Sequence, residues 1–107
     1  MQFSITYYSV EVQEEILELP ETLQARYVAL TDRMIEHGPN LGLPHTKSFT
    51  GGLFELRLKG KEGIARVFFC TIVNQKIIML HSFMKKTQKT PPKELTIARQ
   101  RMRELKK

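Results

Sequence analysis

At 107 residues, with 41% apolar and 26% charged side chains, the chain has the composition of one globular domain, large enough to bury a single core and too small for a second. The formal charge of +6 is unevenly spread: residues 1–56 hold 3 basic and 8 acidic side chains (3 − 8 = −5), and residues 57–107 hold 14 and 3 (14 − 3 = +11), which points to a polyanionic partner. A lone cysteine (Cys70) and a lone aspartate (Asp32) exclude a disulfide framework, a cysteine-based zinc site and a clustered-carboxylate metal site, and the absence of a signal-peptide pattern or membrane-length apolar run leads to an expected cytoplasmic protein.

Gln2–Tyr8 alternates Phe3, Ile5 and Tyr7 with polar residues and predicts a short strand. Ser9 is a candidate helix cap, with Val12, Ile16 and Leu19 at helical spacing behind it. Pro20 interrupts, then Leu23, Tyr27, Leu30 and Met34 continue the stripe until Gly38 and Pro39 end it. Two helices, or one kinked at Pro20, are expected. Residues 40–52 read as a long loop, with His45 and Lys47 its chemical candidates.

The segment from Leu53 onward predicts three antiparallel strands, Leu53–Lys59, Ile64–Val73 and Lys76–Lys85, joined by turns at Lys61-Glu62 and Asn74-Gln75. With the tightest register at each turn, every cross-strand pair follows. One face then collects Phe54, Leu56, Leu58, Val67, Phe69, Ile78, Leu80 and Met84 and should pack on the helices. The other collects Glu55, Arg57, Lys59, Arg66, Phe68, Cys70, Met79, His81, Phe83 and Lys85. On that face Arg57 sits opposite Arg66, Arg66 opposite Phe83, and Phe68 opposite His81. Like charges directly across a ladder repel by up to about 1 kcal/mol, so either Glu55, on the diagonal, or an external phosphate should lie between the arginines. Farther on, Thr90 and Pro91 predict the cap and first position of a last helix, whose stripe is Leu95, Ala98, Met102 and Leu105. Its outer faces carry Lys93, Arg99, Arg101, Arg103, Lys106 and Lys107.

No phosphate-cradling glycine loop, zinc spacing or serine triad occurs. A basic, aromatic and histidine-bearing face without metal ligands suits metal-independent RNA cleavage, in which a ribose 2′-hydroxyl attacks its neighbouring phosphate. Cations stabilise the phosphoryl oxygens, an acid and a base move protons, and an aromatic ring holds the nucleotide in line.

The order of elements, with the phrases KSFTGGLFELRLKG, IARVFF and IIMLHSFMKKTQKTPPKE, resembles the RelE superfamily of toxins from bacterial toxin–antitoxin pairs, and its phage-associated HigB-like branch in particular. The resemblance implies an α+β, RelE-like fold over 1–107 as a single domain: an N-terminal strand and helical pair packed on a small, twisted, mainly antiparallel sheet, with a C-terminal helix. It implies a ribosome-dependent endoribonuclease that cuts mRNA during translation and arrests growth, uses no metal or cofactor, and is held by a cognate antitoxin, typically of the helix-turn-helix HigA-like kind. Carried onto this chain, Arg57 and Arg66 take the scissile phosphate and His81 the proton transfer. Lys47, Lys59, Lys85, Lys86 and Lys89 contact ribosomal or messenger phosphates, and Phe83 offers a stacking surface. Many relatives rely on a tyrosine near the end of the last strand, and Phe83 cannot transfer a proton, so that role falls to His81 or a lysine, or catalysis rests on orientation and charge. The resemblance leaves two other readings: a gyrase-poisoning toxin of the same superfamily fold, and a non-catalytic RNA-binding or phage accessory protein using the same basic face.

Overall fold

The computed structural model describes residues 2–86 and 89–106; Thr87 and Gln88 of the quoted phrase and Lys107 of the last helix lie outside them. The predicted first strand is β1, Ser4–Tyr7. Ser9 caps α1 (Val10–Leu17), its Oγ accepting from Val12 N at 3.2 Å. That bond satisfies one of the amides a helix start leaves open. Pro20 separates α1 from α2 (Glu21–His37), and Gly38, at φ +99°, ends α2 in a conformation that favours glycine. The apolar stripe is buried as its spacing requires: Val12 and Ile16 on α1, Leu23, Tyr27, Leu30 and Met34 on α2. Tyr27 keeps a partner for its hydroxyl, which lies 2.9 Å from that of Tyr7, and burial raises its phenol pKa far above the usual range.

One five-stranded sheet, in the order β1-β5-β4-β3-β2, carries the rest, with β2 at Thr46–Ser48, β3 at Leu53–Gly60, β4 at Gly63–Ile72 and β5 at Lys76–Lys85. β1 runs parallel to β5, and the other neighbours are antiparallel. The loop expected over 40–52 is therefore only partly a loop. It contains β2, which pairs Lys47 with Glu55, and a 3-10 turn at Thr50–Gly52.

The first hairpin has the predicted register, with Arg57 opposite Arg66 and Gly60 opposite Gly63. The second departs from prediction twice, and the departures cancel. Its loop holds three residues, Val73–Gln75, with Asn74 and Gln75 both at positive φ, so Ile72 rather than Val73 pairs with Lys76. A bulge then leaves Leu80 without a partner, because Phe69 pairs with Met79 and Phe68 with His81. Beyond the bulge Arg66 meets Phe83, as the sequence predicts.

That bulge corrects the predicted faces. A one-residue insertion reverses the alternation, so Met79 and Ile77 turn toward α1 and α2, and Ile78 and Leu80 turn to the opposite side. There they join Leu53, Phe68 and Cys70 in a second core under α3 (Pro92–Leu105), which contributes Ala98 and Met102. The face expected to be open is thus covered along half its length. Met84, placed in the core by alternation, is exposed near the strand end. Completely buried side chains such as Phe68 and Phe69 each contribute about 1.5–3 kcal/mol of transfer free energy, so both faces hold the sheet.

The carbonyl that the bulge frees finds a new donor, since Arg101 of α3 donates to Leu80 O at 2.8 Å. The same guanidinium lies 5.1 Å from the Tyr8 ring centroid. Arg99 donates to Thr50 O at 3.0 Å, tying α3 to the 3-10 turn as well. These bonds place the start of α3 beside the uncovered half of the sheet. Among the described residues no helix is long and apolar enough to cross a membrane.

Candidate active site

The uncovered half presents side chains of β2, β3, β4 and β5 that the ladder brings together: Lys47, Glu55, Arg57, Arg66, Phe83 and Lys85. At its centre lies Glu55, 1% exposed. Its Oε1 is 3.5 Å from Arg66 Nε and 3.9 Å from Arg57 Nε, and its Oε2 accepts from Thr90 Oγ1 at 3.0 Å. The diagonal placement read from the register thus makes Glu55 the counter-charge of the arginine pair. The compensation is partial. Both Nε groups are buried within ion-pair reach of the carboxylate but outside hydrogen-bond geometry, and among the described residues neither has a hydrogen-bond partner. Arg66 is 6% exposed and its pKa is lowered, first by burial and then by Arg57, with Glu55 opposing. Donors left in this state are costly, and since the Nε atoms are enclosed an anion would reach the pair through the outer part of Arg57, whose side chain is 30% exposed.

Thr90 does not cap α3 as expected. The helix begins at Pro92, with Pro91 at the cap position, and the Thr90 hydroxyl serves Glu55 instead. A buried carboxylate has the stronger claim on a nearby donor than a helix end open to water. The shift of one residue puts Glu94 at the third helical position, where its Oε1 meets His81 Nε2 at 2.8 Å. His81 is therefore held from the helix. Its Nδ1 is buried with no hydrogen-bond partner, so neither ring nitrogen lies open to an approaching substrate. The ring stacks on Phe83 at 5.9 Å and 23°, and Phe83 on Phe68 at 5.8 Å and 27°. Phe49 meets Phe68 edge-on at 5.8 Å and 78°, and Lys47 Nζ lies 5.4 Å from the Phe49 ring centroid. The aromatic strip ends at Phe83, which is only half-buried.

Lys85 stands at the end of β5, half-buried, with its pKa lowered. Desolvation is the main cause, followed by Arg66; Arg57 and Lys47 add to it and Glu55 opposes. Lys59 is exposed on the same face of β3, and Lys86 and Lys89 are exposed beyond β5. Cys70 belongs to the core under α3, and burial raises its thiol pKa. Among the described residues no three His, Cys, Asp or Glu side chains gather as a metal site requires.

The sequence reading missed Glu94 and the role of Thr90. An acid in a first helical turn reads as a dipole complement, and only the offset of the helix start shows that Glu94 faces the strand histidine. Arg26 was also missed, being an ordinary exposed residue of α2 until the fold sets it beside Lys59.

Similarity to solved structures follows this architecture. A double arginine-to-alanine mutant of the E. coli toxin RelE in the free state matches with a TM-score of 0.69 and 10% identity, over 95% of this chain and 99% of that one. The archaeal RelE of the RelE–RelB complex from Pyrococcus horikoshii OT3 matches with a TM-score of 0.57 and 19% identity, over 78% of this chain and 96% of that one. At these identities the likeness is one of fold, and the protein has the α+β RelE-like fold expected from its sequence. In sequence, residues 14–103 match the family described as "Phage derived protein Gp49-like (DUF891)", and the chain belongs to that family. No curated protein matches it.

Proposed function

We propose that the protein is the toxin of a toxin–antitoxin pair, of the HigB-like kind, and cuts mRNA on the ribosome by attack of a ribose 2′-hydroxyl on the adjacent phosphate. The observation that carries this is the arginine pair: two guanidiniums face each other across a ladder and share one buried carboxylate, so two positive charges stand against a single negative one. Such a site is prepared for the charge that builds on phosphoryl oxygens in the transition state. The RelE-like fold and the phage-derived family support the same reading.

In this mechanism Arg57 and Arg66 hold the scissile phosphate. Phe83 supplies a face for a base, and Lys47, Lys59, Lys86 and Lys89 meet neighbouring phosphates. The proton role first given to His81 passes to Lys85, because both imidazole nitrogens are withdrawn from the open face while the Lys85 ammonium is on it. Its lowered pKa makes that ammonium a better proton donor to the leaving 5′-oxygen as the P–O5′ bond breaks, while the 2′-hydroxyl proton passes to a phosphoryl oxygen or to water as the P–O2′ bond forms. His81 and Glu94 then act as the support on which Phe83 is set. The partner is an antitoxin, as RelB is for the archaeal RelE, and a helix-turn-helix protein of the HigA-like kind is the form proposed.

Induction of the wild-type protein should arrest growth, and primer extension should find cuts confined to translated regions of messages. Arg66→Ala should abolish both while still binding the antitoxin. Intact messages with trapped gyrase complexes would transfer the protein to the gyrase-poisoning class.

A further inference from the structure

Beside the arginine pair the surface turns inward. β2 pairs only with Phe54–Leu56, so β3 has no strand neighbour on that side from Arg57 to Gly60. The turn before β2 approaches there, with His45 O accepting from Arg57 N at 2.8 Å. From the other direction comes α2. Its first turn is tied to the β3–β4 hairpin, where Thr22 Oγ1 accepts from Lys61 N at 2.9 Å and Thr22 binds the Glu62 carboxylate. One turn further along α2, Arg26 lies beside Lys59. A cleft of about 280 Å³ results, lined by Arg26, His45, Arg57, Lys59 and Arg66, with Pro44 and Ile64 as its apolar walls.

Among the described residues no acidic side chain lines this cleft. Glu55 is turned to the Nε groups and Thr90, and among the described residues neither Arg26 nor Lys59 forms a salt bridge. Arg66, buried and with its Nε unpartnered, is one wall. The volume falls just below the roughly 300 Å³ at which small-molecule pockets begin, and its charged groups, Arg26, Arg57, Lys59 and Arg66, are all cationic. A phosphate group fits both features, and guanidinium forks match its geometry.

We propose that this cleft seats a second RNA phosphate next to the scissile one, with Arg26, His45 and Lys59 as its own ligands and Arg57 and Arg66 shared between the two. The inference rests on the RNA-cleaving reading and extends it around the edge of β3. It assigns Arg26 and His45, which lie off the open face, to substrate binding.

The test uses the full chain and uncleavable 2′-O-methyl RNA as a dinucleotide, with one phosphodiester, and as a hexanucleotide. Binding is followed by NMR titration between about 50 and about 200 mM salt. Loss of one single-strand phosphate contact lowers the slope of log K against log salt by about 0.7, or about 2.6-fold in affinity over that range. Arg26→Gln should show this change on the hexanucleotide and weaken it more than the dinucleotide; the exposed Lys59→Gln should do the same. Arg66→Gln, checked for folding by circular dichroism and backed by Arg57→Gln, should weaken both ligands. If Arg26→Gln and Lys59→Gln bind the hexanucleotide like wild type while the Arg66 and Arg57 variants do not, the second seat is removed and the first stands. If the Arg66 and Arg57 variants match wild type on both ligands, the RNA reading falls and the seat with it. A larger loss by Arg26→Gln for a polyglutamate peptide than for the hexanucleotide would give the cleft to an acidic protein partner and overturn the proposal.

Discussion

Exchanging Glu55 for glutamine isolates the electrostatic centre of the site. The side chain keeps its shape, and its NH2 can donate to the Thr90 hydroxyl with the amide oxygen toward the guanidiniums, so Glu55→Gln removes the charge while leaving an acceptor beside them. Arg66 Nε lies 3.5 Å and Arg57 Nε 3.9 Å from the carboxylate. At an effective dielectric constant of about 20, each contact is a gross attraction of about 4–5 kcal/mol. Desolvation of the three groups cancels part of this, and removing one partner of a buried ion pair costs about 3–5 kcal/mol, because the survivors remain buried and unbalanced. For a domain of this size, about 3 kcal/mol corresponds to a fall in Tm of roughly 12–24 °C, measurable by circular dichroism in dilute chloride. Phosphate should then restore the variant more than it stabilises the wild type, in which Glu55 already faces the arginines. A ligand bound only by the native state at about 100 times its Kd adds about 2.7 kcal/mol. A variant melting within about 2 °C of wild type in chloride, well under 1 kcal/mol, refutes Glu55 as the counter-charge. Equal gains in phosphate refute the idea that the arginines accept a phosphate in its place.

Three further outcomes test the geometry. Lys85→Ala should slow single-turnover cleavage by about 10²- to 10⁴-fold, and the wild-type rate should fall as pH rises through a Lys85 pKa below the ordinary lysine value of 10.5; a larger loss in His81→Gln than in Lys85→Ala would return the proton to the histidine. Gly60→Ala should destabilise the fold by about 1–3 kcal/mol, read from the urea midpoint, because the added methyl overlaps Thr22 Oγ1; an unchanged midpoint would mean that the hairpin does not abut α2. Glu62 has a lowered pKa, chiefly from the Thr22 hydroxyl, so the folded state releases that proton more readily than the unfolded chain. Its contribution is present above the ordinary glutamate pKa of 4.5 and lost as pH falls through the lower folded value. Melts of Glu62→Gln should therefore approach those of wild type at the acid end of that window and diverge above it.

How far the fold was legible depends on what each residue run encodes. Ser9, Pro20 and Gly38 mark helix ends by local chemistry, and those marks were readable. The register of the first hairpin was readable too, because Gly60 and Gly63 frame a two-residue turn and leucines alternate with charges along β3. Ile77, Ile78, Met79 and Leu80 are different. Four apolar residues in a row carry no parity, and a sheet covered on both faces accepts them in either phase. The bulge was therefore invisible, and the prediction for Arg66, Phe83 and His81 succeeded only because the longer loop and the bulge offset each other. β2 escaped for a different reason. Three residues between Pro44 and the 3-10 turn are too few to show alternation, and only pairing with β3 makes them a strand.

At the site, types of residue were legible and their obligations were not. Two arginines opposite one another announce an anion, and the sequence left open whether it is Glu55 or a phosphate. On the proposed reading both belong. Buried guanidiniums without a counter-charge would destabilise the folded protein, and Glu55 sits at ion-pair distance. Off their hydrogen-bond line, it leaves their Nε donors unpartnered. A carboxylate in full bidentate contact would make a more stable arginine cluster and a weaker receptor for phosphate. With its second oxygen held by Thr90, the one carboxylate offsets part of two guanidinium charges, which keeps the folded protein tolerable and leaves the pair net positive. The neighbouring cleft can dispense with such an acid because Arg26 and Lys59 are exposed and water solvates their charge until an anion displaces it.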